Sequence, residues 1–369
     1  MRFVATAAVA ACLAVLSPHY ASGVLLVYEG FDYSEGALSG QADGGFGFAP
    51  GSSWGGGSVV AGSLSYTDGG SNSLPTSGNR ALVSAESGSV SAYRQLGRGY
   101  GDDPSYGPGT YWLSFLGQRL QPHITQDENA ARSFGLQLHS SGGGDERLGV
   151  GRVTINAPVP SVGWGLFSDG SASLYTEAAE SMFDLSFNVV EITIADATDG
   201  NLSDSAKLWV NPDLSGTLGT PSAELAVGSG LNFDYLFDTL RLWAGGTSGD
   251  NPYAAYEVDE IRIGTLLEDV LGNSVIVPGD VDGNGTVDVN DLTPIRMNYR
   301  NGDAVRTDGD LNGDTFVNFA DFRQWKTALL EAGGSLEGVD LAFLGQVPEP
   351  ASALLLFMGS AMLVRRGRR

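Results

Sequence analysis

Two acidic segments near the C-terminal end of the chain repeat one arrangement of oxygen-bearing side chains with a period of 30 residues, starting at Gly279 and at Gly309. Calcium in proteins takes about six to eight oxygen ligands. A twelve-residue loop supplies them from side chains at positions 1, 3, 5, 9 and 12 and from the backbone carbonyl at position 7. Because both segments carry acidic or amide side chains at these positions, we predict two calcium sites.

The predicted ligands are the residues at these loop positions. The second loop has Thr315 at position 6, where the first has Gly285. Since glycine reaches a positive φ at little cost, we expect the second loop to bind calcium more weakly. The ligands of the first loop are the side chains of Asp280, Asp282, Asn284, Asp288 and Asp291 and the carbonyl of Thr286. Those of the second are the side chains of Asp310, Asn312, Asp314, Asn318 and Asp321 and the carbonyl of Phe316.

Apolar residues follow each loop at the spacing of one helix face. The loops and these helical segments repeat together over residues 279–331 and resemble a type I dockerin. The resemblance implies a small α-helical module, predicted here over residues 279–333, that binds two Ca2+ ions and a cohesin-like protein. The apolar residues are Leu292, Ile295 and Tyr299 after the first loop and Phe322, Trp325 and Leu329 after the second.

The dockerin resemblance also indicates where a protein partner would bind. In cellulosomal dockerins, cohesin recognition involves the residues just before the last calcium ligand and the helix that follows. Here these residues are Val289 and Asn290 in the first loop and Phe319 and Ala320 in the second. The serine or threonine often found there is absent, so we do not expect a familiar cohesin as the partner. A calcium-stabilised spacer without a protein partner is the alternative interpretation.

Residues 24–268 show short apolar runs separated by glycine-rich turns, a pattern typical of an all-β domain. Apolar residues alternate within several predicted strands, and Val190, Ile192 and Ile194 share one face. We predict a mostly β fold with one large jelly-roll sandwich. The segments 27–33 and 256–264 look like the first and last strands of concanavalin A-like, laminin G-like domains. This resemblance implies a carbohydrate-binding or structural module, and some related jelly rolls are glycoside hydrolases.

The segment closest to a hydrolase motif is Glu257-Val258-Asp259-Glu260-Ile261-Arg262. Retaining glycosidases use two carboxyl groups about 5–5.5 Å apart, which laminarinase-type jelly rolls place on one strand as Glu-x-Asp-x-x-Glu. Here Arg262 replaces the second glutamate, and strand alternation puts Glu260 on the face opposite Glu257. We therefore predict no catalytic residue and keep a polysaccharide-degrading glycoside hydrolase as an alternative function.

Two predicted strands carry tryptophan on the face opposite their apolar residues. Lys207 and Trp209 alternate with Leu208, and Arg241 and Trp243 belong to another strand with the same pattern. A sugar ring binds to a flat apolar platform with polar groups at its edge. We predict carbohydrate binding by these four residues. The alternative is that the tryptophans belong to the core.

The N-terminal residues 1–23 read as a secretory signal peptide, with Arg2 before an apolar stretch and small residues at its end. Signal peptidase would remove the only cysteine, Cys12, so the mature protein would have no disulfide. A lipoprotein signal ending at Cys12 is the alternative.

The C-terminal residues 347–369 combine Pro348-Glu349-Pro350, an apolar run over 351–364 and a final arginine cluster. The apolar run is short for a stable membrane-spanning helix. This layout resembles the PEP-CTERM sorting signal. The resemblance implies recognition by an exosortase, transient membrane insertion and delivery to the cell surface or extracellular matrix of a Gram-negative-type bacterium. A plain C-terminal membrane anchor is the alternative. Residues 269–278 are the predicted linker, and residues 334–346 the predicted spacer before the tail.

The chain has 43 acidic residues against 20 basic ones, and only two lysines. This balance excludes nucleic acid as a natural partner. The two histidines outside the predicted signal peptide, His123 and His139, are too isolated in sequence to indicate a metal site. We predict an exported surface or matrix protein whose sandwich binds polysaccharide without catalysis and whose dockerin-like module tethers it. A purely structural matrix protein is the other alternative.

Overall fold

The computed structural model describes residues 25–42, 44–86, 88–102, 106–120, 132–153, 162–168, 175–195, 204–226, 235–245, 253–272, 279–281, 287–302, 304, 306–312 and 316–345, without the side chains of residues 141, 307 and 331. The predicted signal peptide and sorting tail, including Pro348, Glu349 and Pro350, lie outside these ranges. Among the helices of the described ranges, none combines the length and the hydropathy needed to cross a bilayer.

The described part of the chain is mostly β, as predicted. Its strands are β1 (Leu25–Glu29), β2 (Gly36–Ala37), β3 (Ser58–Val60), β4 (Arg80–Ser84), β5 (Val90–Tyr100), β6 (Gly109–Leu120), β7 (Phe134–Ser140), β8 (Asp145–Arg152), β9 (Gly163–Phe167), β10 (Tyr175–Ser181), β11 (Ser186–Ile194), β12 (Ser205–Val210), β13 (Ala223–Leu225), β14 (Phe237–Ala244) and β15 (Ala255–Gly264). Its helices are α1 (Leu267–Val270), α2 (Leu292–Met297) and α3 (Phe319–Glu331), with short 3-10 turns at Ser141–Gly143, Arg306–Asp308 and Ala342–Gly345.

These strands form two antiparallel sheets. The larger one, called the large sheet, has the order β13-β12-β11-β6-β15-β4-β3-β2, with β1 also paired to β15. The other, called the six-stranded sheet, has the order β10-β9-β8-β7-β14-β5. Neighbours in each sheet are often far apart in sequence, as β6 and β15 are, so the pairing depends on long-range contacts.

The two sheets pack face to face around one hydrophobic core. Val190 and Ile192 of β11 in the large sheet share this core with Leu240 and Leu242 of β14 in the six-stranded sheet, and all four are buried. Because alternate side chains of a strand point to opposite faces, each sheet buries one apolar face against the other. The predicted alternation is therefore confirmed in these strands, and the architecture is a β-sandwich.

Part of the outer face of the large sheet is covered too. Leu64 from the segment before β4, Leu116 of β6, Phe187 of β11 and Val270 of α1 form a second buried cluster there. Leu271 is buried in the same cluster. The sandwich thus continues through residues 269–271, which the sequence suggested as the beginning of a linker.

The residues from 279 to 345 that the structure describes form a small second unit, called here the helical unit. Leu292 and Ile295 of α2 and Phe322 and Trp325 of α3 are buried together in its core. The predicted helix faces therefore do pack against each other. Phe343 joins them, with its ring centroid 5.0 Å from that of Tyr299 and 6.0 Å from that of Phe322. The segment predicted as a spacer thus contributes a core side chain.

Candidate functional site

The outward face of the six-stranded sheet carries a group of polar and aromatic side chains. On β14, Leu240 and Leu242 point into the core, so Arg241 and Trp243 lie on the opposite face. The strand register sets Arg241 opposite Tyr93 of β5 on one side and Gln137 of β7 on the other. His139 of β7 lies opposite Glu146 of β8 in the neighbouring row. We call the polar face the group formed by Tyr93, Gln137, His139, Glu146, Arg241 and Trp243.

Arg241 lies at the centre of the polar face, between two aromatic rings. Its guanidinium carbon is 4.1 Å from the Trp243 ring centroid and 5.1 Å from that of Tyr93. Its Nε donates a hydrogen bond to Ser91 Oγ over 2.8 Å, and its Nη1 lies 4.0 Å from Glu146 Oε2. Burial lowers the pKa of Arg241, while Tyr93 and Glu146 oppose this shift. The guanidinium group of Arg241 nevertheless remains protonated at neutral pH.

His139 lies beneath these groups and is only 2% exposed. Its Nε2 is 3.4 Å from Gln137 Oε1, and Gln137 Nε2 in turn donates to Glu146 Oε2 over 2.7 Å. The Tyr93 ring meets the imidazole edge-on at a centroid distance of 5.5 Å. Burial and the nearby Arg241 lower the pKa of His139 to about 4. The imidazole is therefore neutral at pH 7 and has one nitrogen able to accept a proton.

A cavity of about 530 Å³ lies near one end of the six-stranded sheet. Gln95, Ser140 and Arg147 line it. Gln95 belongs to the same strand as Tyr93, and the other two directly follow His139 and Glu146 in sequence. The cavity volume lies within the range of small-molecule sites.

The structure places the other predicted carbohydrate pair on a different sheet. Lys207 and Trp209 of β12 belong to the large sheet, and Lys207 Nζ forms an ion pair with Glu191 Oε1 at 2.7 Å. Trp209 is only 8% exposed, and its Nε1 donates to the carbonyl of Gly219 over 2.8 Å. The open platform expected at Trp209 is thus not present, because the segment after β12 returns over the ring. The structure does not bring this pair together with Arg241 and Trp243.

Four residues of the polar face were not identified from the sequence: Tyr93, Gln137, His139 and Glu146. The only local signal is that Gln137 and His139 alternate with the apolar residues Leu136 and Leu138. Such alternation marks one face of a strand, but it does not show which other strands that face will meet.

Two acidic residues of β15 form ion pairs within the sandwich. Glu257 Oε1 pairs with Arg80 Nε at 2.8 Å, and the buried Glu260 pairs with Arg262 at 2.5 Å. The strand register shifts between Asp259 and Arg262, and Glu260 takes a positive φ of 54°. Such a bulge interrupts the regular alternation of side chains along the strand. The expectation that Glu257 and Glu260 lie on opposite faces was based on that alternation.

The two predicted calcium loops are described in part. Asp282, Asn284, Thr286 and Asp314 lie outside the described residues. In what remains, no three histidine, cysteine or acidic side chains form a metal-binding group. Asp291 accepts hydrogen bonds from Val281 N at 2.7 Å and Asp288 N at 2.8 Å. Asp321 accepts the equivalent bonds in the second loop, from Leu311 N at 2.9 Å and Asn318 N at 2.7 Å.

The donor set of these loops suits a hard cation. Four of the predicted ligands, Asp280, Asp291, Asp310 and Asp321, are buried in the helical unit. Buried carboxylates are costly unless positive charge or hydrogen bonds neutralise them. Carboxylate, amide and carbonyl oxygens are the ligands that calcium takes in proteins. The residues present therefore fit Ca2+, and the two calcium sites remain a prediction.

Comparison with known proteins gives no family. No protein-family model matches the chain, and no curated protein matches it. Among solved structures, an endo-beta-1,4-glucuronan lyase from the fungus Trichoderma reesei is 14% identical over 67% of this chain and 98% of that chain, with a TM-score of 0.37. The alginate lyase AlyC3 is 11% identical over 50% and 75%, with a TM-score of 0.33. The botulinum neurotoxin serotype D binding domain is 11% identical over 69% and 52%, with a TM-score of 0.32. These similarities are too distant to assign an activity or a ligand.

Proposed function

We propose that the polar face binds a polysaccharide chain without cleaving it. The observation that carries this proposal is the position of Arg241 between the rings of Tyr93 and Trp243. A sugar ring has an apolar face and a hydroxyl edge, so it suits an aromatic platform beside hydrogen-bonding groups. Arg241 can donate hydrogen bonds to the sugar hydroxyl groups, Glu146 can accept hydrogen bonds from them, and Gln137 can do both.

The location of the ligand would follow from the predicted export signals. A signal peptide over residues 1–23 and the sorting tail with Pro348, Glu349 and Pro350 would send the chain to the cell surface or matrix, where polysaccharides are exposed. We propose the helical unit as a tether that calcium stabilises. Val289 and Phe319, at the positions where a cohesin-like partner would bind, are 49% and 57% exposed. This exposure supports a protein partner but does not identify it.

Affinity measurements on paired variants test the glycan site. A glycan array would first select a ligand among plant and algal polysaccharides. We expect Trp243→Ala to weaken binding of that ligand about tenfold, equivalent to about 1.4 kcal/mol, because one of the two rings is lost. Lys207→Ala is the matched control on the large sheet and should bind as the wild type does. Equal losses in both variants would contradict the proposed site, and no ligand on the array would favour a structural matrix protein.

The contact of Tyr93 with both His139 and Arg241 supports a second candidate, a lyase that acts on uronic acid polymers. Arg241 and Gln137 would bind the carboxylate of one sugar and make its C5 proton more acidic. His139 would take that proton as the C4–O bond breaks, and the Tyr93 hydroxyl would give its proton to the departing oxygen. The product would contain a C4=C5 double bond, and no cofactor is consumed.

Product analysis separates this candidate from a hydrolase and from simple binding. A lyase creates ultraviolet absorbance from the new double bond together with reducing ends, whereas a hydrolase creates reducing ends alone. We expect any elimination activity to be abolished in His139→Ala and in Tyr93→Phe. If an oligouronate is bound but neither signal appears, the polar face is a binding site only.

A further inference from the structure

A cleft of about 600 Å³ lies between the sandwich and the helical unit. Tyr28, Phe46 and Pro50 line it from the sandwich, and Arg306 and Gln324 from the helical unit. The two units thus contact each other across a defined surface. A direct hydrogen bond strengthens the contact, because Arg98 of β5 donates through Nη2 to the carbonyl of Ala304 over 2.7 Å.

Arg306 contacts residues of both the sandwich and the helical unit. Its guanidinium carbon is 5.1 Å from the centroid of the Phe46 ring in the sandwich. Its Nη2 donates to the carbonyl of Asp280, the first residue of the first acidic loop, over 3.1 Å. Its own turn, Arg306–Asp308, ends just before Asp310, the first residue of the second loop. A single side chain therefore links the first loop to the sandwich, and it lies four residues before Asp310 in sequence.

The position of Arg306 depends on how the acidic loops are arranged. Burial lowers the pKa of Arg306, and the charges of Asp280, Asp291 and Asp310 raise it, so this cation faces carboxylates of both loops. Without a bound cation, the buried carboxylates of Asp280, Asp291 and Asp310 repel one another. A shift of Asp280 that relieves this repulsion would move its carbonyl and release the Arg306 guanidinium from Phe46.

We propose that Arg306 couples metal binding in the two acidic loops to docking of the helical unit on the sandwich. The proposal rests on the predicted calcium sites and is independent of glycan binding on the polar face. With calcium neutralising the buried carboxylates, the Asp280 carbonyl accepts the hydrogen bond from Arg306, and Arg306 packs on Phe46. When calcium is removed, the helical unit loosens and its wall of the cleft moves away from the sandwich.

Hydrogen exchange of the full chain with calcium or with a chelator tests the coupling. In the wild type, calcium should slow exchange in two places, the helix α2 and the sandwich segment 44–52 that contains Phe46. Arg306→Ala should keep the slowing in α2 and lose it in residues 44–52. Arg323→Ala removes an exposed arginine of α3 and should behave as the wild type does.

Three results would overturn the proposal. Calcium could have no effect on exchange anywhere, it could slow α2 without slowing residues 44–52 in the wild type, or Arg306→Ala could keep both effects. If Arg306→Ala fails to fold its helical unit, exchange in α2 will show it. Phe46→Leu then tests whether the contact between Arg306 and Phe46 carries the coupling. This variant removes the ring on the sandwich side and leaves the sequence of the helical unit unchanged. We expect it to lose the slowing in residues 44–52 as well.

Discussion

Asp259 shows how one proton can complete a buried hydrogen-bond arrangement. Its Oδ2 is 2.5 Å from Ser63 Oγ, and Ser63 Oγ also lies 3.0 Å from the carbonyl of Leu64. Serine has a single hydroxyl hydrogen and cannot donate to both acceptors. If the carboxyl group is protonated, it donates to Ser63, and Ser63 donates to Leu64. Burial raises the pKa of Asp259 to about 8, in agreement with this arrangement.

We predict that the stability of the sandwich falls as pH rises from about 4 to about 8. The folded pKa of Asp259 is raised above the usual value of about 3.9, so its contribution is complete below that value and is lost toward the folded pKa. The loss should amount to roughly 2–5 kcal/mol. Asp259→Asn keeps the donor at Ser63 and should flatten this fall in urea unfolding at pH 5 and pH 9. An unchanged pH profile in the variant would contradict the assignment.

Glu29 and Arg94 form an ion pair inside the sandwich. Arg94 Nη1 is 2.5 Å from Glu29 Oε2, and both side chains are buried. Tyr33 Oη and Trp54 Nε1 each donate to the same carboxylate over 2.8 Å. Burial raises the pKa of Glu29, and Arg94 provides the largest opposing effect. This carboxylate depends on its partners to stay in the core.

Removing the cation of this pair should be strongly destabilising. We expect Arg94→Met to lower the free energy of unfolding by about 3–5 kcal/mol, because it leaves a buried carboxylate without its partner. Arg94→Met combined with Glu29→Gln should recover part of the loss. Chemical denaturation of the wild type, the single variant and the double variant measures the three free energies of unfolding. If the double variant is no more stable than the single one, the charge of Glu29 is not the cause.

At the scale of elements, the glycine just before each acidic loop packs against the helix that follows the other loop. A Cβ on Gly279 would lie 2.6 Å from Ala328 Cβ of α3, and a Cβ on Gly309 would lie 2.7 Å from Ile295 Cα of α2. Both glycines have positive φ, 90° and 107°. The two halves of the helical unit therefore support each other, which explains why the loop and helix patterns repeat together.

Gly309→Ala should loosen the helical unit and leave the sandwich intact. The added methyl group meets the backbone of α2 and the backbone conformation disfavours alanine, so we expect a loss of about 1–3 kcal/mol. Gly345→Ala is the control, since no atom lies within 4 Å of its added Cβ. Hydrogen exchange in α2 and α3 measures the effect. Equal exchange in the two variants would show that the close approach is not required.

At the scale of the whole molecule, calcium should act on the helical unit first. Calorimetric titration of residues 24–346 is expected to show two sites of different affinity. Asp280→Ala should remove one site and Asp310→Ala the other. If no calcium binding is measured, the loops are acidic turns without a calcium site, and the proposed calcium-stabilised tether is contradicted.

Chelation should lower the melting temperature of the helical unit while the transition of the sandwich core persists. At a calcium concentration 100 times the Kd, binding adds about 2.7 kcal/mol to the stability of the unit that binds it. Calorimetric scans with and without chelator would show two transitions, of which one moves. A single transition with the same melting temperature in the presence and absence of chelator would contradict both the calcium sites and the separate folding of the helical unit.

The sequence alone determined the fold class and the buried faces of single elements. Period-two alternation placed Val190, Ile192 and Ile194 on one face, which is buried in the core, and helical spacing identified the buried face of α3. These features depend on residues close together in the chain, so a local pattern can show them.

Only the tertiary structure decided which surface is a candidate site. Tyr93, Gln137, His139 and Arg241 come from three strands spread over some 150 residues and meet through long-range pairing. The tertiary structure also covered Trp209, although alternation had placed it on an outer face. Alternation states which side chains share a face of one strand. Packing of distant segments decides whether that face is buried, open or adjacent to another unit.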